Sequence, residues 1–482
     1  MVQLPLSIFR LARAPALVVT LAATLVAGCA LAPSPQHGEV VDEALPKGTN
    51  IPPAWKAEPG NGPVVDDWLA SLNDPMLDAM VAEAIANNLD LRQAADRVTM
   101  AEQTVVVVGA QLLPQVGAVV GGRTTRDEDH SGESNATLAY VGVAWELDIW
   151  GRLRAERAAA QAGYEATALD YAYARQSLAA TVAKTWYLVT ETRQLLALAE
   201  QAVDIYGKLL DLVTIRRSAG KDSDLDVADT RAKLESAMSD VQLARQSYGE
   251  ARRALEVLLG RYPAAEIESS LAYPPLPAPP ATGVPASLLL RRPDVVAAER
   301  EVLAAFREEE AAKLALLPDF SISLLGGRVS DPVLSLLRLN PWLASAAIGV
   351  SFPIYEGGAL QAQVEIATAQ QAQVVAHYGS VVLRAFREVE NALANEQLLA
   401  NRLPLDQSAV KARIEAVQIA TVQYKAGRRD LLWVSNLQTN QLANQADLIK
   451  LQGMQRINRI ELYLTLGGSF DAAPTTTAQR ND

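Results

Sequence analysis

The chain contains two copies of one structural unit, and this duplication limits its possible folds more than any other feature. Residues 143–147 are matched by residues 350–354, 207 positions later, and the same offset relates Gly220 to Gly427. Before the predicted strands the offset is 204, as between residues 112–114 and 316–318, which both read Leu-Leu-Pro. Offsets that stay this constant over many tens of residues indicate a repeat. Each half of the chain must therefore form the same set of helices and strands.

Each unit is predicted to contain a helix, two strands, a very long helix and a shorter final helix. Pro114 and Pro318 favour the change from helix to strand, because proline removes a donor and restricts the residue before it. Pro404 predicts a kink in the second long helix. As continuous helices, the long segments would each extend about 100 Å. The predicted helices are 77–111, 151–219 and 224–259 in the first unit and 294–317, 358–426 and 431–466 in the second.

Two proline-rich stretches divide the chain into domains. Residues 29–67 and the linker 263–285 are both predicted to be extended rather than helical, since proline is frequent in them. The repeats then occupy 68–262 and 286–468. The polar tail 469–482 is predicted to be flexible.

Four segments alternate between apolar and small or polar residues, which is typical of strands with two different faces. A transmembrane strand needs about ten such residues. The half-buried sheet of a soluble protein shows the same alternation, so the pattern leaves both interpretations open. Aromatic residues near the strand ends favour the membrane, and the residues predicted to face it are Val143, Trp145, Phe320, Trp342 and Phe352. The predicted strands are 114–126, 136–149, 318–330 and 342–354.

Four strands are too few to close a barrel. Open sheet edges are not tolerated in lipid, since unpaired backbone groups there cost several kcal/mol each. The smallest closed barrels have eight strands. Several chains must therefore share one barrel if the strands span a membrane, although strand number does not give the number of chains.

The N-terminus resembles a bacterial lipoprotein signal. Arg10 and Arg13 precede an apolar run at 14–27, which is too short for a membrane-spanning helix and fits a secretory signal. Cys29 follows Gly28 and is the only cysteine of the chain, so residues 1–28 are predicted to be a signal peptide and Cys29 a lipid attachment site. A lone buried thiol is the alternative. Ala30 after the cysteine favours the outer membrane as the destination.

Composition and motifs exclude several functions. The net charge is −12, and no Lys/Arg cluster offers a basic face to nucleic acid. The three histidines, His37, His130 and His377, are far apart in the sequence. Metal-protease, paired-cysteine and phosphate-loop motifs are absent from the sequence. We therefore expect no enzymatic activity, no metal and no cofactor other than the covalent lipid.

Several motifs, in order, resemble the TolC superfamily of outer-membrane factors, in its NodT/OprM-type lipoprotein branch. The resemblance covers about 68–468, nearly the whole predicted mature chain. It is carried by the segments WELDIWGRLR at 145–154, LRRPDV at 290–295, FPIYEGG at 352–358, AFREVENAL at 385–393 and YKAG at 424–427.

The resemblance implies a mainly α-helical fold with a small β part, in which three chains share a 12-stranded barrel and a periplasmic helical tunnel. Such a trimer would be the exit duct of a tripartite efflux system. Its partners would be a periplasmic adaptor, an inner-membrane pump of the resistance-nodulation-division (RND) class and outer-membrane lipid, with no nucleic acid. In the family the duct closes, like an iris, where the long helices turn back.

The two turns combine helix caps with charges that suit a gate. Gly220 and Gly427 suit left-handed C-terminal positions, and Ser223 and Asp430 suit N-caps. Arg428 and Arg429 make the second turn basic, whereas the first is acidic, with Asp222, Asp224, Asp226 and Asp229. Ion pairs between the two turns around the trimer axis are one hypothesis for closure, although exposed pairs contribute only about 0–1 kcal/mol each.

One departure from the family concerns the helix after the second turn. Many relatives have an acidic residue where this chain has Asn436, and Trp433 occupies another position that can be acidic. The constriction is therefore expected to depend on Trp433, on the two arginines or on the acidic turn, and the sequence leaves these open.

Two other functions remain as alternatives. A duct for type I protein secretion shares the fold, and the lipoprotein signal argues against it. A periplasmic coiled-coil adaptor also has long helices, but it has one hairpin rather than a duplicated unit. The transported substrate cannot be predicted from the sequence.

Overall fold

The computed structural model describes residues 31–57, 62–126, 133–330 and 343–471, and at 123–126, 133–137 and 329–330 only the backbone. The predicted signal peptide, Cys29 and Trp342 lie outside these residues, as does most of the C-terminal tail. Within them the chain forms ten helices and four strands. No helix among the described residues is both long enough and apolar enough to cross a membrane.

The order of elements repeats, as predicted. The helices are α1 His37–Ala44, α2 Trp68–Ser71, α3 Pro75–Asn87, α4 Leu89–Ala110, α5 Arg152–Ser218, α6 Asp224–Leu258, α7 Pro285–Arg291, α8 Pro293–Leu314, α9 Ala359–Lys425 and α10 Leu431–Thr465. The strands are β1 Gln115–Arg126, β2 Glu133–Leu147, β3 Asp319–Ser330 and β4 Leu343–Ser351. The predicted fold class, mainly helical with a small antiparallel sheet, is confirmed.

The long helices α5 and α9 each have 67 residues. Gly151 and Gly358, at φ +91° and +85°, lie immediately before them. Pro404 lies inside α9 and, lacking an N–H, cannot donate to the carbonyl four residues earlier, yet the helix continues through it.

Two predictions about helices were wrong. The first helix of unit one is divided at Asn88, whose side-chain oxygen accepts the N–H groups of Asp90 and Leu91 at 3.0 Å each and so begins α4. The N-terminal segment is not extended throughout, since α1 lies within it. The residues between Pro35 and Pro46 contain no proline, and Glu39 accepts the N–H of Gln36 at 2.8 Å at the helix start.

The start of the C-terminal tail is packed rather than flexible, which corrects a third prediction. The carbonyl of Ser469 accepts the N–H of Asp67 at 2.9 Å. Phe470 is buried, with the guanidinium of Arg175 5.5 Å from its ring centre. Burial of an aromatic ring stabilises this segment although the sequence around it is polar.

The four strands form one antiparallel sheet in the order β1-β2-β3-β4. The register places the predicted apolar faces on one side of it, because Val116 pairs with Val143, Val143 with Leu324 and Leu324 with Ala346. Glycine, serine and alanine dominate the other side, where Gly142 pairs with Gly117 and Leu325. One face is therefore continuously apolar and the other is mainly small or polar.

The chain divides into two compact units. Among the described residues, the unit that carries the sheet comprises those within 31–47, 97–168 and 297–379, and its part of α5 buries small side chains such as Ala155, Ala159 and Ala162. The second unit comprises the described residues within 48–96, 169–296 and 380–471. Two apolar clusters lie in the second unit, one around Trp68, Tyr187 and Leu255 and one around Tyr206, Tyr424 and Val434.

Candidate functional site

The two turns that follow the long helices have the same backbone geometry. Gly220 has φ +69° and Gly427 has φ +72°, which is the left-handed region that favours glycine. The N–H of Gly220 donates to the carbonyl of Arg217, and that of Gly427 to the carbonyl of Tyr424, at 2.9 Å each. Both helices therefore end in the same glycine cap.

The N-caps of the helices that follow are also as predicted. The hydroxyl of Ser223 accepts the N–H of Asp226 at 3.2 Å, and the carboxylate of Asp226 accepts the N–H of Ser223 at 2.8 Å. Asp430 accepts the N–H of Trp433 at 2.9 Å. Gly220, Gly427, Asp226 and Asp430 thus have structural roles as caps.

The other acidic residues of the first turn have basic partners within the same chain. Asp222 pairs with Arg216 at 2.9 Å and Asp224 with Arg217 at 2.6 Å. Asp229 lies 2.9 Å from Lys233, which also donates to Ser435 of α10 at 2.6 Å. The excess of acid that the local sequence suggests is therefore largely neutralised by the end of α5 and by α6.

Asp222 is the most buried of these acids and joins the two halves of the repeat. Its carboxylate accepts two hydrogen bonds from Arg216, at 2.9 and 3.2 Å, and one from the hydroxyl of Tyr424 at the end of α9. The side chain of Asp222 is 7% exposed and Tyr424 is fully buried. The guanidinium of Arg216 also lies 4.4 Å from the ring centre of Tyr424. We call Arg216, Asp222 and Tyr424 the turn cluster.

The protonation states of Arg216 and Tyr424 in the turn cluster suit their hydrogen bonds to Asp222. The hydrogen bond from Arg216 to Asp222 raises the pKa of Arg216 above its usual value, so the guanidinium stays charged. Burial and the hydrogen bond to Asp222 raise the pKa of Tyr424, so its phenol stays neutral and donates. Charge-assisted bonds of this kind are stronger than neutral ones. The cluster therefore fixes the first turn against the end of the second long helix.

The second turn remains basic and exposed. Arg429 lies 4.9 Å from the ring centre of Trp433, which is 51% exposed, and its Nε donates to Gln423 at 3.4 Å. Within the described part of the chain, neither Arg428 nor Arg429 forms an ion pair. Asn436 is exposed on α10. Within one described chain, these arginines therefore form no ion pair with the acidic residues of the first turn.

Arg216 and Tyr424 are not predicted as site residues by the sequence. Arg216, near the end of α5, has the local pattern of a solvated charge, and Tyr424, near the end of α9, has that of a packed ring. Tyr424 also belongs to one of the segments that carry the family resemblance. Helical spacing could have placed Arg216 and Asp222 at one turn, but no local pattern connects either to Tyr424, which lies 202 positions after Asp222.

Each turn is followed by an exposed leucine. Leu225 is 77% exposed at the start of α6 and Leu432 is 58% exposed at the start of α10. The 207 offset of the repeat relates these two residues. Both turns are therefore followed by a large apolar side chain exposed at the equivalent position.

Among the described residues, the two edge strands of the sheet, β1 and β4, each pair on one side only and expose apolar side chains. Val116 and Val120 of β1 are 70% and 75% exposed, and Ile348 and Val350 of β4 are 79% and 62% exposed. Long apolar edges of this kind are normally covered or paired.

The aromatic residues predicted to face the membrane differ in their surroundings. Trp145 is partly buried, and its Nε1 donates to the carbonyl of Leu112 at 3.0 Å. The ring of Phe320 lies 6.3 Å from that of Trp150. Phe352 is 58% exposed, and Val143 is partly buried in the middle of the sheet. Their orientation toward lipid stays a prediction.

No group of three or more metal-binding side chains occurs among the described residues. His37 instead pairs with Glu299, with Nδ1 2.8 Å from the carboxylate, and holds α1 against α8.

Comparison with known proteins gives a consistent result. The family described as outer membrane efflux protein matches residues 80–261 and 284–468. The chain is 30% identical, over 455 residues, to the pyoverdine export outer membrane protein OpmQ of Pseudomonas putida, covering 90% of this chain and 94% of that one. It is 28% identical, over 411 residues, to the cation efflux system protein CusC of Escherichia coli, covering 84% and 88%. A crystal structure of CusC superposes with a TM-score of 0.78 at 26% identity, covering 92% of this chain and all of that one.

Proposed function

The chain belongs to the outer membrane efflux protein family and is an outer-membrane efflux channel, and we propose that three copies form one lipid-anchored duct with a gate at its helical turns. The observation that carries this proposal is the sheet, in which one face is apolar across all four strands while both edges lack a partner strand in the part of the chain that the structure describes. The family's activity is transport, and the duct supplies a passage rather than a chemical reaction.

Sharing of strands supports the trimer. Strands β1 and β4 have 12 and 9 residues, and their free edges would expose backbone N–H and carbonyl groups to hydrocarbon. Each such unpaired group costs several kcal/mol in a bilayer. A ring of identical copies removes every edge, and twelve strands from three chains fall within the range of closed barrels.

The position of the first described residues supports the lipid anchor at Cys29. Ala32 donates its N–H to Glu310 at 2.7 Å, and its carbonyl accepts from Arg307 at 2.8 Å. Arg307 also donates to the hydroxyl of Ser34 at 2.6 Å. These contacts hold the segment just after Cys29 within the compact unit that contains the sheet. A lipid on Cys29 would then insert into the same membrane that the sheet is proposed to span.

The turn cluster supports a gate that is closed in the isolated duct. Asp222 and Tyr424 join the first turn to the second long helix, and this link must break or move if the two helical pairs separate. Arg428 and Arg429 remain available for acceptors on a partner subunit. A few such bonds would contribute little free energy each, so the binding of a second protein could break them and open the gate.

The exposed leucines at the turns support docking of a periplasmic adaptor, which would connect the duct to an inner-membrane RND-type pump. Leu225 and Leu432 would give six equivalent apolar contacts in a trimer, two from each copy. The related proteins are named for cargo as different as pyoverdine and cations, so membership of the family does not identify one class of transported molecule.

Two measurements test this function. Purified protein in detergent should have the mass of a trimer and should form ion-conducting channels in planar bilayers. A strain that lacks the gene should accumulate efflux substrates, and its growth in their presence should be restored by the intact gene. A water-soluble monomer without channel activity would contradict the proposal.

The lipid anchor has its own test. The mature protein should carry an N-terminal lipid by mass spectrometry, and Cys29→Ala should remove it. Recovery of an unmodified thiol at Cys29 in the mature wild-type protein would contradict lipid attachment.

A further inference from the structure

One arginine lies on the otherwise apolar face of the sheet. Arg328 is in β3 and pairs with Ala139, so the register places it on the face that also carries Val141 and Leu324. Side chains of a strand alternate between its two faces, and residues 324 and 328 are an even number of positions apart. Among the side chains that the structure describes in the four strands, Arg328 is the only charged one on this face.

The guanidinium of Arg328 has no acceptor within the described chain. Its Nε and Nη1 are shielded from solvent and form no hydrogen bond there. The carboxylates on the described strands, Glu146 and Asp319, lie on the opposite face near the other end of the sheet. Glu146 pairs with Ser321, seven residues before Arg328, which is roughly 23 Å along the strand. A shielded guanidinium without an acceptor is costly, so this one favours an anion from outside the chain.

The depth of Arg328 corresponds to the far boundary of a membrane. All four strands join helices at the same edge of the sheet, where β3 begins at Asp319. Arg328 lies nine residues further, about 30 Å along the strand. With the usual tilt of barrel strands this is about 23 Å across the membrane, close to the height of about 25 Å of the apolar band. An arginine on the lipid face destabilises a barrel strongly at the midplane and little near this boundary.

The face around Arg328 is open to its surroundings. Val141, opposite Gly326, is 52% exposed, and Val120, opposite Ala139 on the other side, is 75% exposed. Ala139 and Gly326 are small, and glycine in a strand often marks the close approach of a ligand. Arg328 is itself partly exposed, and rotation of its side chain would bring the shielded nitrogens to a molecule on this face.

We propose that Arg328 binds the phosphate group of a lipid in the outer leaflet, one lipid for each copy of the chain. This rests on the proposed function, since it needs the apolar face to meet hydrocarbon and the helices to extend into the periplasm. The edge of the sheet far from the helices is then the outer one.

The chemistry of the guanidinium favours phosphate. Lipid headgroups place phosphate at the membrane boundary, and basic side chains there recognise it. A guanidinium presents two parallel N–H groups to two phosphate oxygens, and such charge-assisted hydrogen bonds are stronger than neutral ones. Binding would also give the shielded nitrogens of Arg328 the acceptors that the described chain does not supply.

Lipid titration of the purified protein tests the site. The protein is stripped of lipid in detergent and titrated with lipid A, the phosphorylated glycolipid of the outer leaflet, or with lipid A whose phosphates have been removed. Native mass spectrometry counts the bound molecules. Wild type should bind phosphorylated lipid A about tenfold more tightly than Arg328→Gln, which loses charge-assisted hydrogen bonds. Without its phosphates, the lipid should bind equally to both proteins.

The matched control is Arg300→Gln. Arg300 lies in α8, in the same compact unit but outside the sheet, 3.6 Å from Glu165. Its substitution removes the same charge and should leave the binding of phosphorylated lipid unchanged. Arg328→Lys keeps the charge without the paired N–H groups and should bind with intermediate affinity. The comparison of the two lipids on wild type requires no variant, so it tests the site even if Arg328→Gln assembles poorly.

The outcomes separate the site from the function. Equal affinity of the wild type for both lipids, or of wild type and Arg328→Gln for the phosphorylated one, would overturn the site and leave a conducting trimer standing. Displacement of the lipid by excess inorganic phosphate would show a site for free anions and would also overturn the proposal. A wild-type protein that is monomeric and forms no channels would overturn the proposed function itself.

Discussion

The hydroxyl of Tyr424, at the end of the second long helix, donates to the carboxylate of Asp222, in the turn after the first long helix. Arg216 completes the cluster by binding the same carboxylate through two nitrogens. Together with the hydrogen bond from Lys233 to Ser435, the Tyr424–Asp222 bond joins two helical pairs that are about 200 residues apart in the chain. If the turns form the gate, this bond belongs to the closed state.

Tyr424→Phe should therefore favour the open state. The substitution removes one hydrogen bond to a charged group and keeps the buried ring. A loss of about 1.5 kcal/mol would increase the ratio of open to closed channels about tenfold. Single-channel recording in planar bilayers measures this. Tyr262→Phe, at an 87% exposed tyrosine, is the matched control and should leave conductance unchanged.

Reversing the charge of Arg428 and Arg429 to glutamate should raise single-channel conductance and the entry of large antibiotics. The two cations have no ion pair inside the described chain, so their electrostatic partners in a trimer would be on another copy. Lys411 and Arg413, which are exposed on α9, provide the control when they are reversed in the same way. Unchanged conductance in the Arg428/Arg429 variant would exclude the arginines from the seal.

Glu191→Gln should make stability less dependent on pH. Burial raises the pKa of Glu191 from 4.5 to about 7, although the nearby Lys450 acts to lower it. Below about pH 4.5 both the folded and the unfolded carboxyl are protonated, so the stabilisation is complete. As pH rises to 7 the unfolded chain ionises first and this contribution is lost.

At pH 8 the variant should be more stable than the wild type by about 2 kcal/mol, after a discount for the partial solvent exposure of Glu191, and should therefore unfold at a higher temperature. At pH 4 the two should agree. Circular dichroism of the protein in detergent measures the difference. The same substitution at the exposed Glu415 should have no effect at either pH. Equal pH dependence in wild type and Glu191→Gln would contradict the prediction.

Arg292→Ala should destabilise the second unit strongly. The side chain is 3% exposed and binds Asp294 at 2.9 Å and Glu388 at 2.5 Å. Its removal leaves two carboxylates partly buried without their cation, which typically costs about 3–5 kcal/mol.

Arg402→Ala is the control for that measurement. Arg402 is 52% exposed and lies 3.5 Å from Asp406, and loss of such a pair should cost no more than about 1 kcal/mol. Thermal unfolding monitored by circular dichroism distinguishes the two. Similar melting temperatures for both variants would show that the Arg292 contacts contribute little.

Local patterns in the sequence predicted most of the secondary structure. The alternation in β1 to β4 predicted which residues share a face, because side chains of a strand point alternately to its two sides. Glycine and proline predicted the ends of the long helices, and Ser223 and Asp430 predicted the caps that begin α6 and α10. These signals are reliable because they depend on residues only a few positions apart.

The errors concern packing. Asn88 divides a predicted helix by accepting two backbone N–H groups, while its amide also donates to the carbonyl of Leu258, 170 positions away. Phe470 is buried although the residues around it resemble a mobile tail. At Asn88 the local cap is reinforced by the distant carbonyl of Leu258, and at Phe470 burial depends on distant residues such as Arg175. The sequence does not identify these distant partners.

The sequence by itself determined the repeat and the number and facing of the strands, because each follows from local periodicity. It also predicted that several chains share one barrel, from the cost of unpaired backbone in lipid. Only the tertiary structure decided which charges remain free at the turns. Asp222, Asp224 and Asp229 look available in sequence, yet Arg216, Arg217 and Lys233 neutralise them. The strength of an ion pair depends on the distance between the charges and on their burial, and the amino-acid sequence gives neither.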